Sequence, residues 1–191
     1  QLLVAGASGL YQLDPKTGKR ELLLPIEKDN LATRANDSRV APGNAIWFGT
    51  MGRKLETGAG AVYHIKDNIC TALFGPVSIP NATCFSPDGR TAYYCDTPKQ
   101  AIMKVEIDAA TGLPVTPPCL FTDLSADGLN PDGAVTDLEG NLWRWDGLFI
   151  SSSYESNISS ILAELKEKRL NDLKKHRQML ECLIFYCLYN V

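Results

Sequence analysis

From residue 1 to about residue 147, apolar positions fall in short runs separated by proline, glycine, asparagine and aspartate, with no helical spacing among them. Leu2 to Ala5, Leu10 to Leu13 and Glu21 to Leu24 read as strands, with a turn at Pro15-Lys16-Thr17-Gly18. Residues 26–35 read as a polar connection. Three hairpins then follow the same plan. Arg39-Val40 passes through Ala41-Pro42-Gly43-Asn44 into Ala45-Ile46-Trp47-Phe48. Ala82 to Phe85 passes through Ser86-Pro87-Asp88-Gly89 into Thr91 to Cys95, and Ala134-Val135 through Asp137-Leu138-Glu139-Gly140 into Asn141-Leu142-Trp143. Proline presets one turn dihedral and glycine accepts the positive φ that other residues resist, so these hairpins have a local cause. Ala61 to Ile65 and Ala101 to Ile107 supply third strands, followed by turns at Lys66-Asp67-Asn68 and at residues 108–112.

The turn glycines Gly43, Gly89 and Gly140 recur at roughly 45–50 residues, the period of a four-stranded propeller blade. The expected body is therefore all-β, an incomplete propeller holding about three blades and the outer half of another. A side-chain oxygen lies about seven or eight residues before each glycine, at Asn36, Asn81 and Asp132. If each hairpin is the inner pair of a blade, these oxygens converge at one mouth of the central channel. Trp47, Trp143 and Tyr93 recur at blade spacing and read as core, Asp88 as a turn residue, and Asp37 as a supporting or turn residue rather than a ligand.

From Ile150 the pattern changes. Ser151-Ser152-Ser153 reads as a linker, and residues 158–180 show helical spacing with Ile161, Leu162, Leu165 and Leu173 on one side. The apolar ending, Leu180 to Tyr189, is far short of the 20 or so residues that span a bilayer. The reading is a division at 147/148: a propeller body, then a helical tail (148–191) that packs on exposed blade surface or on a partner and does not cross a membrane.

Composition adds exclusions. A net charge of −3 and the lack of a basic stripe with interleaved aromatics argue against nucleic acid. Six cysteines without CxxC spacing, and only His64 and His176 as histidines, argue against a zinc finger. Small buried thiols in a reducing compartment, the cytoplasm, are the expectation. The chain opens with Gln1 inside a strand-like run, which suggests a fragment.

Arg34-Ala35-Asn36-Asp37, Trp47-Phe48-Gly49-Thr50-Met51-Gly52, Gly58-Ala59-Gly60-Ala61-Val62-Tyr63, Pro80-Asn81, Phe85-Ser86-Pro87-Asp88-Gly89, Asn130-Pro131-Asp132-Gly133 and Glu139-Gly140-Asn141-Leu142-Trp143 form an ordered set. The set resembles the SMP-30/gluconolactonase/LRE (regucalcin-like) family over roughly residues 5–147. The resemblance implies part of a six-bladed propeller (about blades 2 to 4), one divalent cation in the channel (Ca, Zn, Mg or Mn), and hydrolysis of a small sugar lactone. By position it implies Asn81 and Asp132 as metal ligands, Asp132 also as general base, and Arg34 and Asn36 as substrate-binding residues. Departures are implied as well. The family's third ligand, a first-blade glutamate, would lie upstream of residue 1, and Gly52-Arg53-Lys54 stands where an acidic substrate-side residue is expected. Ala82 and Ser38 replace glycines, and residues 148–191 match nothing, as after a truncation or frame shift.

The residue types suit that chemistry. Amide and carboxylate oxygens are hard ligands, a carboxylate within reach of a bound water can take its proton, and an arginine can orient hydroxyls or hold developing negative charge. The expectation is impaired activity in this chain. The alternative is a non-catalytic propeller fragment that binds calcium, another metal or a partner, self-associating through exposed blade faces or its tail.

Overall fold

A computed structural model of the chain describes residues 1–145 and the backbone of 146 and of 149–152. Four antiparallel sheets follow one another along the chain. The first holds β1 (Leu2–Gly6), β2 (Gly9–Leu13) and β3 (Arg20–Pro25). The second runs β4 (Thr33–Ala41), β5 (Ala45–Gly52), β6 (Gly60–Lys66) and β7 (Ile69–Val77) in sequence order. The third repeats this with β8 (Pro80–Phe85), β9 (Thr91–Asp96), β10 (Ala101–Glu106) and β11 (Cys119–Asp123). The fourth holds β12 (Ala134–Thr136), β13 (Leu142–Asp146) and β14 (Phe149–Ser152). Among the described residues the only helical pieces are three short 3-10 turns. The all-β expectation holds. The sheets stack with β8 flanked by β4 on one side and β12 on the other, while β1 lies against β4. Up-and-down meanders placed side by side in this way are propeller-like.

The predicted strands are present, with three differences. β4 begins at Thr33, inside the stretch expected to be a connection. β7 adds a fourth strand after the turn at residues 66–68 and runs through Gly75-Pro76 to Val77. Ser151 and Ser152 belong to β14, hydrogen-bonded to β13, rather than to a linker. The expected helical tail lies outside the described residues.

Burial between neighbouring sheets holds the stack together. Trp47 is fully buried between the second and third sheets with Val62, Ala92, Tyr94, Val105 and Ile107. Its ring meets Phe74 and Phe85 edge-on at centroid distances of 5.6 and 5.3 Å, an arrangement favoured by the aromatic quadrupole. Its indole N–H donates to Gly112 O at 2.9 Å, so residues 108–112 of the third sheet are clamped onto the second. His64 Nε2 and Lys66 Nζ bond the Thr111 and Ala110 carbonyls of the same loop, at 2.8 and 2.6 Å. A second cluster, with Ala82, Cys84, Cys95, Ile102 and Leu142, joins the third and fourth sheets, and Tyr93 packs against it. A smaller one, Ile26, Phe48 and Ile65, joins the first and second.

Trp143 departs from the core expectation. It is half-buried, and its Nε1 donates to Asp137 Oδ2 at 2.9 Å, tying down the β12–β13 turn. The thiols also divide. Cys84 and Cys95 are buried while Cys70 and Cys119 are exposed, and none of the four is in a disulfide. Burial pushes the Cys95 pKa well above its ordinary value, so the thiol is less acidic and stays protonated as inert packing.

Candidate functional site

Two matching irregularities build the site. In β4, Ala35 pairs with Thr50 and Ser38 with Phe48, so Asn36 and Asp37 together face the single residue Gly49. In β8, Asn81 pairs with Cys95 and Cys84 with Tyr93, so Ala82 and Thr83 together face Tyr94. Each is a β-bulge, a device that bends a strand and re-aims a side chain. Gly49 is required opposite the first, because a Cβ there would lie 2.5 Å from Asp37 O. Ladder pairing thus makes Ala35, not Asn36, the counterpart of Asn81. The two asparagines meet because the bulge turns Asn36.

Asn36 Nδ2 donates to Asn81 Oδ1 at 3.0 Å and to Pro80 O at 2.9 Å. Arg34 Nη1 donates to Asn36 Oδ1 at 3.2 Å and to Ala35 O at 2.8 Å. On the far side, Asn81 Nδ2 donates to Thr97 Oγ1 at 2.9 Å, and the Thr97 hydroxyl donates to Pro131 O at 2.8 Å. This last bond orients the chain. A hydroxyl has one proton, and Thr97 directs it at a carbonyl, so it accepts from the Asn81 amide nitrogen and leaves the Asn81 oxygen facing Asn36. Arg34, Asn36, Asn81, Thr97 and Pro131 therefore form one continuous relay across three sheets.

Asp132 follows Pro131 directly. Its carbonyl accepts the Ala82 N–H at 2.6 Å and its own N–H donates to Trp145 O at 2.8 Å. Ala82 sits in the left-handed region at φ 55° and is fully buried. The structure thus brings Arg34, Asn36 and Asn81 into direct contact, with Asp132 joined to them through Ala82. Asp37 Oδ2 accepts the Thr83 N–H at 2.8 Å. Although Asp37 keeps part of its surface exposed, its carboxyl group is buried. Burial pushes that carboxyl above the ordinary aspartate range, Asp132 pushes the same way, and Thr83 and Arg39 oppose.

Asn81, 7% exposed, is a buried amide whose oxygen is held in a fixed direction, as a hard-cation ligand should be. Asp132 adds the one carboxylate of the predicted pair. Among the described residues no three His, Cys, Asp or Glu side chains cluster as a metal site; an amide oxygen and a carboxylate are donors of the type that hard divalent cations take. Sequence reasoning did not find Thr97 or the role of Ala82. Thr97 carries a local sign, a threonine before Pro98 at the end of β9, but its partners lie 16 and 34 residues away.

The chain was compared with known proteins. It is 43% identical over 145 residues to a Rhizobium meliloti protein named provisionally as a sugar lactone lactonase, covering 75% of this chain and 49% of that one. It is 31% identical to the 6-deoxy-6-sulfogluconolactonase of Pseudomonas putida, covering 76% of this chain and 50% of the relative. A crystal structure described as a calcium-binding protein, regucalcin, from Agrobacterium tumefaciens superposes with a TM-score of 0.73 at 44% identity, over 75% of this chain and 49% of that one. A structure described as the Dos1 propeller superposes at a TM-score of 0.51 and 11% identity, a likeness of fold alone. The chain spans about half the length of the relatives it matches. With the SMP-30/Gluconolactonase/LRE-like region matched over residues 1–152, the chain belongs to that family.

Proposed function

We propose that this chain carries one side of the active site of a divalent-metal-dependent sugar lactonase built on a six-bladed propeller. The observation that carries this reading is the relay from Arg34 through Asn36 to Asn81, which sets an arginine, a fixed amide oxygen and the neighbouring Asp132 at one end of the inner strands. Support comes from relatives named as lactonases and as a calcium-binding regucalcin.

A divalent cation at Asn81 Oδ1 and the Asp132 carboxylate would polarise the lactone carbonyl and acidify a bound water. The chain's own residues do the rest. Arg34 and Asn36 bind the sugar hydroxyls and orient the ring, and Arg34 balances negative charge developing on the carbonyl oxygen. Asp132 takes the proton of the water whose oxygen bonds to the carbonyl carbon. The ring C–O bond then breaks, the ring oxygen takes the proton back from Asp132, and the open-chain acid leaves.

A second reading rests on the absence of a three-residue acidic or His/Cys cluster among the described residues. With two protein ligands the chain by itself binds its cation weakly and turns over slowly, acting as a metal- or partner-binding propeller fragment. The partner we infer is another β surface. Among the described residues β7 and β11 each pair on one side only, and Ile69 and Leu120 on them are exposed, edges that invite association. Four cysteines outside any disulfide among the described residues suit a reducing cytoplasm. No helix among the described residues is long and apolar enough to cross a membrane.

The test is calorimetric titration with Ca²⁺ and Mn²⁺ alongside gluconolactone hydrolysis with and without EDTA. Metal-dependent hydrolysis lost in Asp132→Ala supports the enzyme reading. Cation binding without turnover supports the second. Hydrolysis unaffected by EDTA would sink both.

A further inference from the structure

The bulge in β8 takes two buried main-chain donors, the N–H groups of Ala82 and Thr83, away from regular ladder positions opposite β9. A buried N–H without an acceptor is destabilising, so each must find a partner elsewhere. Ala82 N donates to Asp132 O, from the segment entering the fourth sheet. Thr83 N donates to Asp37 Oδ2, a side chain from the matching bulge of the second sheet. The backbone just after Asn81 is therefore pinned from both sides by groups of two other sheets. Thr83 is 2% exposed, so water does not substitute for Asp37.

We propose that Asp37 is a positioning residue for Asn81. Its carboxylate supplies the acceptor that the bulge removes from the β8–β9 ladder, and so holds the left-handed turn at Ala82 that aims the Asn81 oxygen at Asn36. This assignment rests on the reading of Asn81 as a cation ligand for its consequence, though not for its geometry. Asp37 Oδ2 is occupied by Thr83, and Asp37 lies one position beyond the residue that reaches Asn81. It acts through the backbone of β8, not on the substrate. Asp37 also presents a bulge residue to Gly49, so the two bulges are coupled: moving one shifts the acceptor of the other.

The full chain is compared with its D37N and D37A variants by amide hydrogen exchange at Thr83 without added metal, by the Asn81 side-chain amide resonances, and by calorimetric titration with Ca²⁺. The D37N variant keeps an acceptor oxygen of the same reach, while D37A removes it. The expected result is Thr83 exchange faster by about tenfold or more in D37A, with a shifted Asn81 resonance and Ca²⁺ affinity lowered roughly 10–100-fold, as for outer partners of metal ligands. D37N should stay within about threefold of wild type on each readout, below that 10–100-fold range. D37S, too short to reach Thr83, substitutes if D37A fails to fold. Unchanged Thr83 exchange in D37A or D37S overturns the proposal. So does a D37N variant that loses as much Ca²⁺ affinity as D37A, since Asp37 would then act through its charge. If wild type binds no Ca²⁺, the cation reading fails, and Thr83 exchange with the Asn81 resonance still decides for or against positioning.

Discussion

The Asn36 amide nitrogen donates to the Asn81 amide oxygen across 3.0 Å, joining side chains 45 residues apart on the inner strands of two neighbouring sheets. Asn81 is in turn fixed by Thr97, which is fixed by Pro131, the residue before Asp132. Every predicted site residue therefore lies on this relay or next to it.

Replacing Thr97 by valine keeps the volume and removes the hydroxyl. The Asn81 amide nitrogen then loses its acceptor in a buried position, which costs about 1–3 kcal/mol. A chain of this size should lose about 2–4 °C of melting temperature per kcal/mol. Ca²⁺ affinity should fall with it, because the amide is free to turn. Thr97→Ser should recover both. Thermal unfolding with parallel calorimetry decides it, and a fully stable, tight-binding T97V would show that the relay is incidental.

Ala82 holds φ 55° with a methyl group, where glycine meets no strain. Ala82→Gly should stabilise the fold by about 0.5–1 kcal/mol, since relief of the left-handed strain outweighs the added freedom of the unfolded chain. Ala82→Val should do the reverse, as a β-branched residue at positive φ in a fully buried site. Urea denaturation of the two variants against wild type measures both signs.

Gly43 sits at φ 69° in the β4–β5 turn, and a Cβ there would lie 2.0 Å from Ala110 O of the neighbouring sheet. Backbone cannot yield as a flexible side chain would. Gly43→Ala should cost about 2–4 kcal/mol, from strain at positive φ and overpacking together. Because the contact is with residues 108–112, the lost protection in hydrogen exchange should appear at His64 and Thr111 as well as at the turn.

Asp137 titrates below its ordinary value of 3.8. Burial alone would raise it, but hydrogen bonds from Trp143 Nε1, Asn141 and the Glu139 N–H outweigh that effect. The sign follows: a depressed carboxylate contributes stability that is present above the ordinary value and lost as pH falls through the depressed one. Wild type should therefore lose more stability than Asp137→Asn on acidification below about pH 4. Acid titration of thermal stability for the two proteins checks it, and parallel curves would exclude a role for this turn.

The strands and turns were legible in the sequence because their causes are local. Proline, aspartate and glycine at residues 86–89, and aspartate and glycine at 137–140, set turn dihedrals wherever the chain goes, and alternating runs such as 101–107 fit a half-buried strand in any sheet. The recurrence of Gly43, Gly89 and Gly140 also exposed the repeat, and with it the end of the strands where Asn81 and Asp132 stand. What the tertiary structure alone decided is how those residues face one another. A bulge is not written in residue types: alanine at position 82 takes a left-handed conformation only because Asp132 and Asp37, from other sheets, hold its neighbourhood. Thr97 looks like an ordinary strand terminus until Pro131 is placed 2.8 Å away. Trp143 and Trp47 occupy similar places in their repeats, yet the Trp143 indole ties down its own turn through Asp137 while the Trp47 indole reaches a neighbouring sheet's loop at Gly112. Local preference sets which elements form. Contacts between residues 34 to 46 positions apart, whose partners exist only once the sheets stack, set what the site can do.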